Sequence, residues 1–182
     1  MLNNDKKINV TDLELELINE VEADDVHEIP TGAVKRIALV AHDNKKKDLL
    51  NWVKENRETL KLHKLCGTGT TSTLIREKFN LEIDSYMSGP VGGDQQIGAD
   101  IAEGDIDILI FFWDPMEMQP HDPDVKALQR LAVLHDCVIA TNRATADFVF
   151  SSPYLNQSYE RKAIDAGGNL RRRVDEFSHV DD

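Results

Sequence analysis

The sequence predicts an α/β fold built on a mainly parallel sheet. Three observations predict it. From Lys35 onward, short apolar runs alternate with longer segments whose apolar residues recur at helical spacing. The most apolar run, residues 106–113, is broken only by Asp107 and lacks polar alternation, as a strand covered on both faces should. Each run is followed by a polar loop rich in small residues. Strands alternating with helices give a parallel sheet with helices on both faces. Right-handed crossovers then restrict the chain to a doubly wound, flavodoxin-like three-layer sandwich.

The elements follow in order. Residues 1–33 read as an acidic N-terminal extension, with nine acids against Lys6 and Lys7, hence −7 of the chain's net −12. Thr11-Asp-Leu-Glu14 fits a capping box, and Leu13, Leu17 and Val21 keep helical spacing, so a short amphipathic helix is one reading. Partial disorder is the other. Pro30-Thr-Gly32 punctuates its end. Residues 36–41 form a buried strand. Residues 45–60 form an amphipathic helix with Leu49, Trp52, Val53 and Leu60 inward. Strands then fall at 62–66, 81–87, 106–112 and 137–141, separated by helices at 70–79, 95–103 and 124–135. Another helix begins at Ala144. The division is an extension over 1–33 and a catalytic domain over 34–182.

A chain of 182 residues suffices for one domain with a real core plus an extension. No apolar run reaches the length of a membrane span, and no charged segment followed by an apolar one suggests a secretory leader. Cys66 and Cys137 lie inside apolar segments and read as buried, reduced thiols of a cytoplasmic protein. The net charge argues against a nucleic-acid partner, which needs a positive face. An acidic chain can still hold an anion through a local cation and helix N-termini.

In such a sheet the loops after the strands share one edge. Here they are His42-Asp-Asn-Lys45, Gly67-Thr-Gly-Thr-Thr71, Ser88-Gly-Pro-Val-Gly-Gly-Asp94, Trp113-Asp-Pro115 and Thr141-Asn142. The 67–71 loop suits a phosphate at a helix N-terminus as well as it suits a plain capped turn. Ser88-Gly89 adds a second phosphate-friendly loop and tilts the balance towards an anion. It is not a Walker loop, because no Lys-Ser/Thr follows the glycines. His42-Asp43 reads by itself as a strand-end turn, while Lys46 one turn on can supply a point charge. Asp94 reads by itself as a helix N-cap, and Asp114-Pro115 as an Asx turn. His121-Asp-Pro-Asp124 reads as a helix start, its histidine tuned by neighbouring carboxylates. No second histidine or cysteine has zinc-ligand spacing nearby. His27, His63, His135 and His179 look incidental.

Five strings together resemble the methylglyoxal synthases: AHDNKK, GTGTT, SGPVGGDQQIGA, IDILIFFWDPMEMQPHDPDVKALQRLA and ATNRATADFVFSSP. The resemblance covers about residues 34–153 in one uninterrupted order, and the tail from about 154 diverges. It implies conversion of dihydroxyacetone phosphate to methylglyoxal and inorganic phosphate without metal or organic cofactor. It also implies a cytoplasmic homohexamer inhibited by phosphate. By motif, Asp94 corresponds to the catalytic carboxylate, and His121 and Asp124 to residues handling protons on the substrate oxygens. His42, Lys46, Thr68, Gly69, Thr70, Thr71, Ser88 and Gly89 match substrate- and phosphate-binding positions. Asp43, Asp114 and Arg130 match a supporting polar network. The family's tail arginine has three candidates, Arg171, Arg172 and Arg173, of which ungapped spacing favours Arg173. The resemblance thus reverses the bland reading of Asp94. Two rivals remain: a non-catalytic phosphate sensor like the regulatory domain of carbamoyl-phosphate synthetase, and a flavin carrier, for which the loops offer little aromatic surface.

Overall fold

A computed structural model describes residues 26–117 and 122–164. The chain divides into two compact units. The larger, residues 28–163, holds the sheet and the sites below; of the other, residues 1–27 and 164–182, only Val26, His27 and Ile164 are described. The amphipathic reading of residues 11–21 and the tail arginines lie outside the described residues.

Five strands form the central sheet: β2 (Arg36–Ala41), β3 (Lys64–Gly67), β4 (Asp84–Ser85), β5 (Ile108–Phe112) and β6 (Val138–Ala140). Their order is β4-β3-β2-β5-β6, and every neighbouring pair is parallel. The predicted fold class is therefore the one observed. β2 lies at the centre because it is the first strand laid down. The chain winds outward through β3 and β4, then crosses back to place β5 on β2's other side. That reversal opens a crevice at the carboxyl ends of β2 and β5.

The two sheet faces bury separate cores because side chains alternate along a strand. Ile37, Leu39 and Ala41 pair in register with Ile108, Ile110 and Phe112. These pack with α1 (Lys46–Glu55), the single turn α2 (Arg57–Leu60), α3 (Gly69–Phe79) and α6 (Arg143–Ser151). Ala38, Val40, Leu109 and Phe111 turn the other way, onto α4 (Gly93–Ala102) and α5 (Asp122–Leu134). Trp52 is buried in the first core, and its indole Nε1 donates to Asp147 Oδ1 at 2.8 Å, so no polar atom is stranded. Both cysteines are free and buried, and burial pushes their thiols up to about 11 for Cys66 and about 12 for Cys137.

The structure corrects several boundaries. The helix predicted over 45–60 breaks at Asn56, whose backbone leaves helical geometry and whose side chain donates to Trp52 O at 2.9 Å. The strand predicted to start at 62 starts at Lys64, because Leu62 and His63 still donate to the carbonyls of Thr59 and Leu60. The strand predicted over 81–87 shrinks to Asp84–Ser85: it is an edge strand with a partner on one side only. Two strands were not anticipated, β1 (Val26–Thr31) and β7 (Tyr159–Ile164), which form a separate two-stranded sheet. Neither run has enough apolar residues to announce itself as a buried strand.

Candidate active site

A cavity of about 270 Å³ opens at the crevice. Val40, Ala41 and His42 come to it from the end of β2, Lys46 from the start of α1, and Phe111 from β5. Thr68 and Thr70 come from the start of α3. Ser88, Gly89, Pro90 and Asp94 come from the loop after β4 and the first turn of α4. Helix N-termini carry partial positive charge, so the cavity favours anions despite the chain's acidity.

Asp94 is 4 % exposed, the most buried carboxylate on the cavity. It is not the helix cap that its sequence context suggests. Gly92 is the N-cap, with φ 111°, a left-handed conformation that glycine tolerates. Asp94 therefore sits inside the first turn, where its side chain is released from capping. Gly93 has to be glycine for another reason: a Cβ there would sit inside the van der Waals shell of the Met87 carbonyl oxygen. The 88–91 turn thus lies against α4, and a Cβ on Gly89 would come within 3.0 Å of Asp94 Oδ2 and 3.2 Å of Oδ1. The double glycine and Gly89 together let the backbone close over one carboxylate.

The two phosphate-friendly loops are tied to each other. Gly69 N–H donates to Met87 O at 3.2 Å, so that amide is committed to the scaffold. Thr68 Oγ1 donates to the buried Thr71 hydroxyl at 3.4 Å. Of the four consecutive candidates, Thr68 and Thr70 line the cavity, whereas Gly69 and Thr71 hold the loop's shape.

His42 is buried, and its Nδ1 accepts the backbone N–H of Asp114 at 3.3 Å. The neutral ring therefore carries its hydrogen on Nε2. Phe111 stands edge-on to it, with centroids 5.2 Å apart. Lys46 pairs with Asp43 at 2.5 Å, but Asp43 is largely exposed, so the pair holds the ammonium only weakly against a competing anion.

Asp114 lies beside the cavity. Its Oδ1 accepts Met116 N–H at 3.0 Å, closing the expected Asx turn, and its Oδ2 accepts Asn44 Nδ2 at 3.2 Å. The Met116 amide first, then Asn44, hold its carboxyl below the usual range. Asn44 also donates to Glu117 Oε2 at 2.9 Å, clamping the loop after β2 to the loop after β5. Sequence reasoning passed over Asn44, Pro90 and Phe111, because nothing in their types announces a site.

Asp124 is half-buried in the first turn of α5, and Arg130 is exposed further along that helix. Neither lines the cavity. His121 and Arg173 lie outside the described residues.

An open parallel sheet with a buried carboxylate, a lysine, a histidine and threonine hydroxyls at its switch point defines a small-anion domain capable of acid–base chemistry. Residues 48–141 match the MGS-like domain family. A methylglyoxal synthase of Leptospira interrogans is 59 % identical over 134 residues, covering 74 % of this chain and 90 % of the relative. One from Clostridium acetobutylicum is 56 % identical over 138 residues, covering 76 % and 95 %. The crystal structure of the methylglyoxal synthase from Elizabethkingia anophelis NUHP1 superposes with a TM-score of 0.76 at 50 % identity, covering 80 % of this chain and 96 % of that one. The chain belongs to the methylglyoxal synthase family.

Proposed function

We propose that the chain is a carbon–oxygen lyase converting dihydroxyacetone phosphate to methylglyoxal and inorganic phosphate. The observation that supports this best is the buried Asp94 carboxylate beside Lys46 and the Thr68, Thr70 and Ser88 hydroxyls on one cavity. The substrate phosphate rests on Lys46 and these hydroxyls. Asp94 removes a proton from the hydroxymethyl carbon, and the electrons of that C–H bond form an enediolate with the carbonyl. His42 and His121 donate hydrogen bonds to the oxygens as charge develops, and Asp124 with His121 moves the oxygen-bound proton. The enediolate then expels phosphate by breaking the C–O bond. The resulting enol takes a proton on its methylene carbon and becomes methylglyoxal.

The phosphate grip also sets the outcome. Elimination requires the breaking C–O bond to overlap the enediolate π system; held in the enediolate plane, that bond survives and isomerisation follows instead. A fixed phosphate chooses between them. The active form on this reading is a cytoplasmic homohexamer inhibited by its product phosphate, with a tail arginine, Arg173, reaching a phosphate. Asp43, Asp114 and Arg130 keep the loops and subunit contacts in place.

Purified protein incubated with dihydroxyacetone phosphate should release methylglyoxal and phosphate in equal amounts. Product at only the spontaneous rate would sink the proposal. Saturable phosphate binding without turnover would point instead to a phosphate-sensing module.

A further inference from the structure

The opposite edge of the sheet holds a second cavity, of about 210 Å³, with no part in the reaction above. Its walls are mostly apolar, from Ile108, Val138, Val149 and Leu155. Three charged side chains join them: Lys35 before β2, Asp107 before β5 and Arg161 in β7. Lys35 is 4 % exposed and Arg161 1 %.

The two cations differ in what they have left to give. Lys35 Nζ donates to Thr31 Oγ1 at 3.1 Å, Gly32 O at 2.5 Å and Gln157 O at 2.7 Å, which uses all three of its hydrogens. It is a clamp that adds only field. Arg161 Nη1 donates to His135 O at 3.4 Å. Its Nε and Nη2 are buried without a hydrogen-bond partner among the described residues. Asp107 Oδ1 stands 3.6 Å from Nη2, too far for a hydrogen bond, and Asp107 Oδ2 already accepts Arg36 N–H at 2.9 Å. A buried guanidinium edge with two unused N–H groups is costly. Nε–H and the adjacent Nη2–H form the parallel fork that receives a carboxylate through two hydrogen bonds.

We infer that this cavity binds a small monocarboxylate with an apolar body. The carboxylate sits on the Nε–Nη2 edge of Arg161, and the body lies against Ile108, Val138, Val149 and Leu155. Charge selects a monoanion, since two cations face one carboxylate. A phosphate dianion would exceed that balance, and its third oxygen would find no donor because Lys35 is saturated. The volume lies below the roughly 300–1,000 Å³ of pockets for drug-sized ligands, so the body is short or a single ring. The inference does not rest on the proposed lyase reaction.

The test titrates the full chain with butyrate and benzoate, and with butyramide and benzamide as uncharged counterparts, by calorimetry or ligand-observed NMR. Saturable millimolar binding of a carboxylate is expected, weaker by about tenfold or more for its amide. Arg161→Leu removes the guanidinium and Arg161→Lys keeps the charge but loses the fork; both should weaken carboxylate binding by about tenfold or more. Arg161→Lys carries the comparison if Arg161→Leu does not fold. Lys46→Met, at the other edge, should leave carboxylate binding unchanged. No saturable binding, equal affinity for the amides, unchanged affinity in the folded Arg161 variants, or loss in Lys46→Met would each overturn the assignment.

Discussion

Asp94 and Gly89 act as a pair. The carboxylate is in the cavity because Gly92 takes the capping position and Gly93 lets α4 approach the Met87 carbonyl. Asp94→Asn keeps the shape and removes the base. Turnover should fall by about 10²–10⁴-fold while phosphate affinity changes only a few-fold, as steady-state kinetics and phosphate titration would show. Near-normal turnover would remove Asp94 from the role. Gly89→Ala tests the same carboxylate from outside. Its new Cβ would meet both Asp94 oxygens at 3.0 and 3.2 Å, so the carboxylate must move. Turnover should drop by about tenfold or more, because misplacing a reacting group by even an ångström is expensive, with little change in melting temperature. The motif matched Asp94 in the sequence, but residue chemistry alone favoured a cap. Sequence holds no record of which of three neighbours, Gly92, Gly93 or Asp94, closes the helix.

Elements carry their own tests. Gly93→Ala would force the start of α4 away from Met87 O, and should cost about 3 kcal/mol in urea unfolding, since backbone cannot step aside as a flexible side chain can. A cost below about 1 kcal/mol would mean the loop yields easily. His63, which looked incidental, joins the end of α2 to the start of β2: its Nδ1 accepts Lys35 N–H at 3.2 Å. Burial lowers its pKa, and the Lys35 charge adds to that. The fold thus prefers the neutral ring, and the unfolded chain takes up the proton first. This stabilisation is fully present above the unfolded value near 6.5 and is lost as pH falls through the lower folded value. Wild-type unfolding free energy should therefore fall between about pH 8 and about pH 5 more steeply than that of His63→Gln. Parallel slopes would show that His63 carries no such linkage. The apolar strands were placed closely by their pattern, β2 without error. β4 was not, because an edge strand's hydrogen bonding depends on a neighbour that periodicity cannot see.

For the whole molecule, the family match leaves about a quarter of this chain unaligned while covering most of each relative, in keeping with the proposed acidic extension. The cut belongs before Val26, since Val26–Thr31 is a strand. A chain lacking residues 1–25 is expected to keep its oligomeric mass and its turnover, measured by light scattering and product assay. Loss of turnover with mass unchanged would give the extension a part in the site. The sequence by itself determined the layer architecture, the edge on which the loops gather and the family. These follow from side-chain periodicity and local motifs, which are properties of consecutive residues. Only the tertiary structure decided which members of a motif face the cavity, that Gly69's amide is spent on Met87, that Asn44 clamps two loops, and that Arg161 lies buried beside Lys35 and Asp107. Those facts join residues far apart in the chain, and their distances are set by how the layers pack rather than by any local preference.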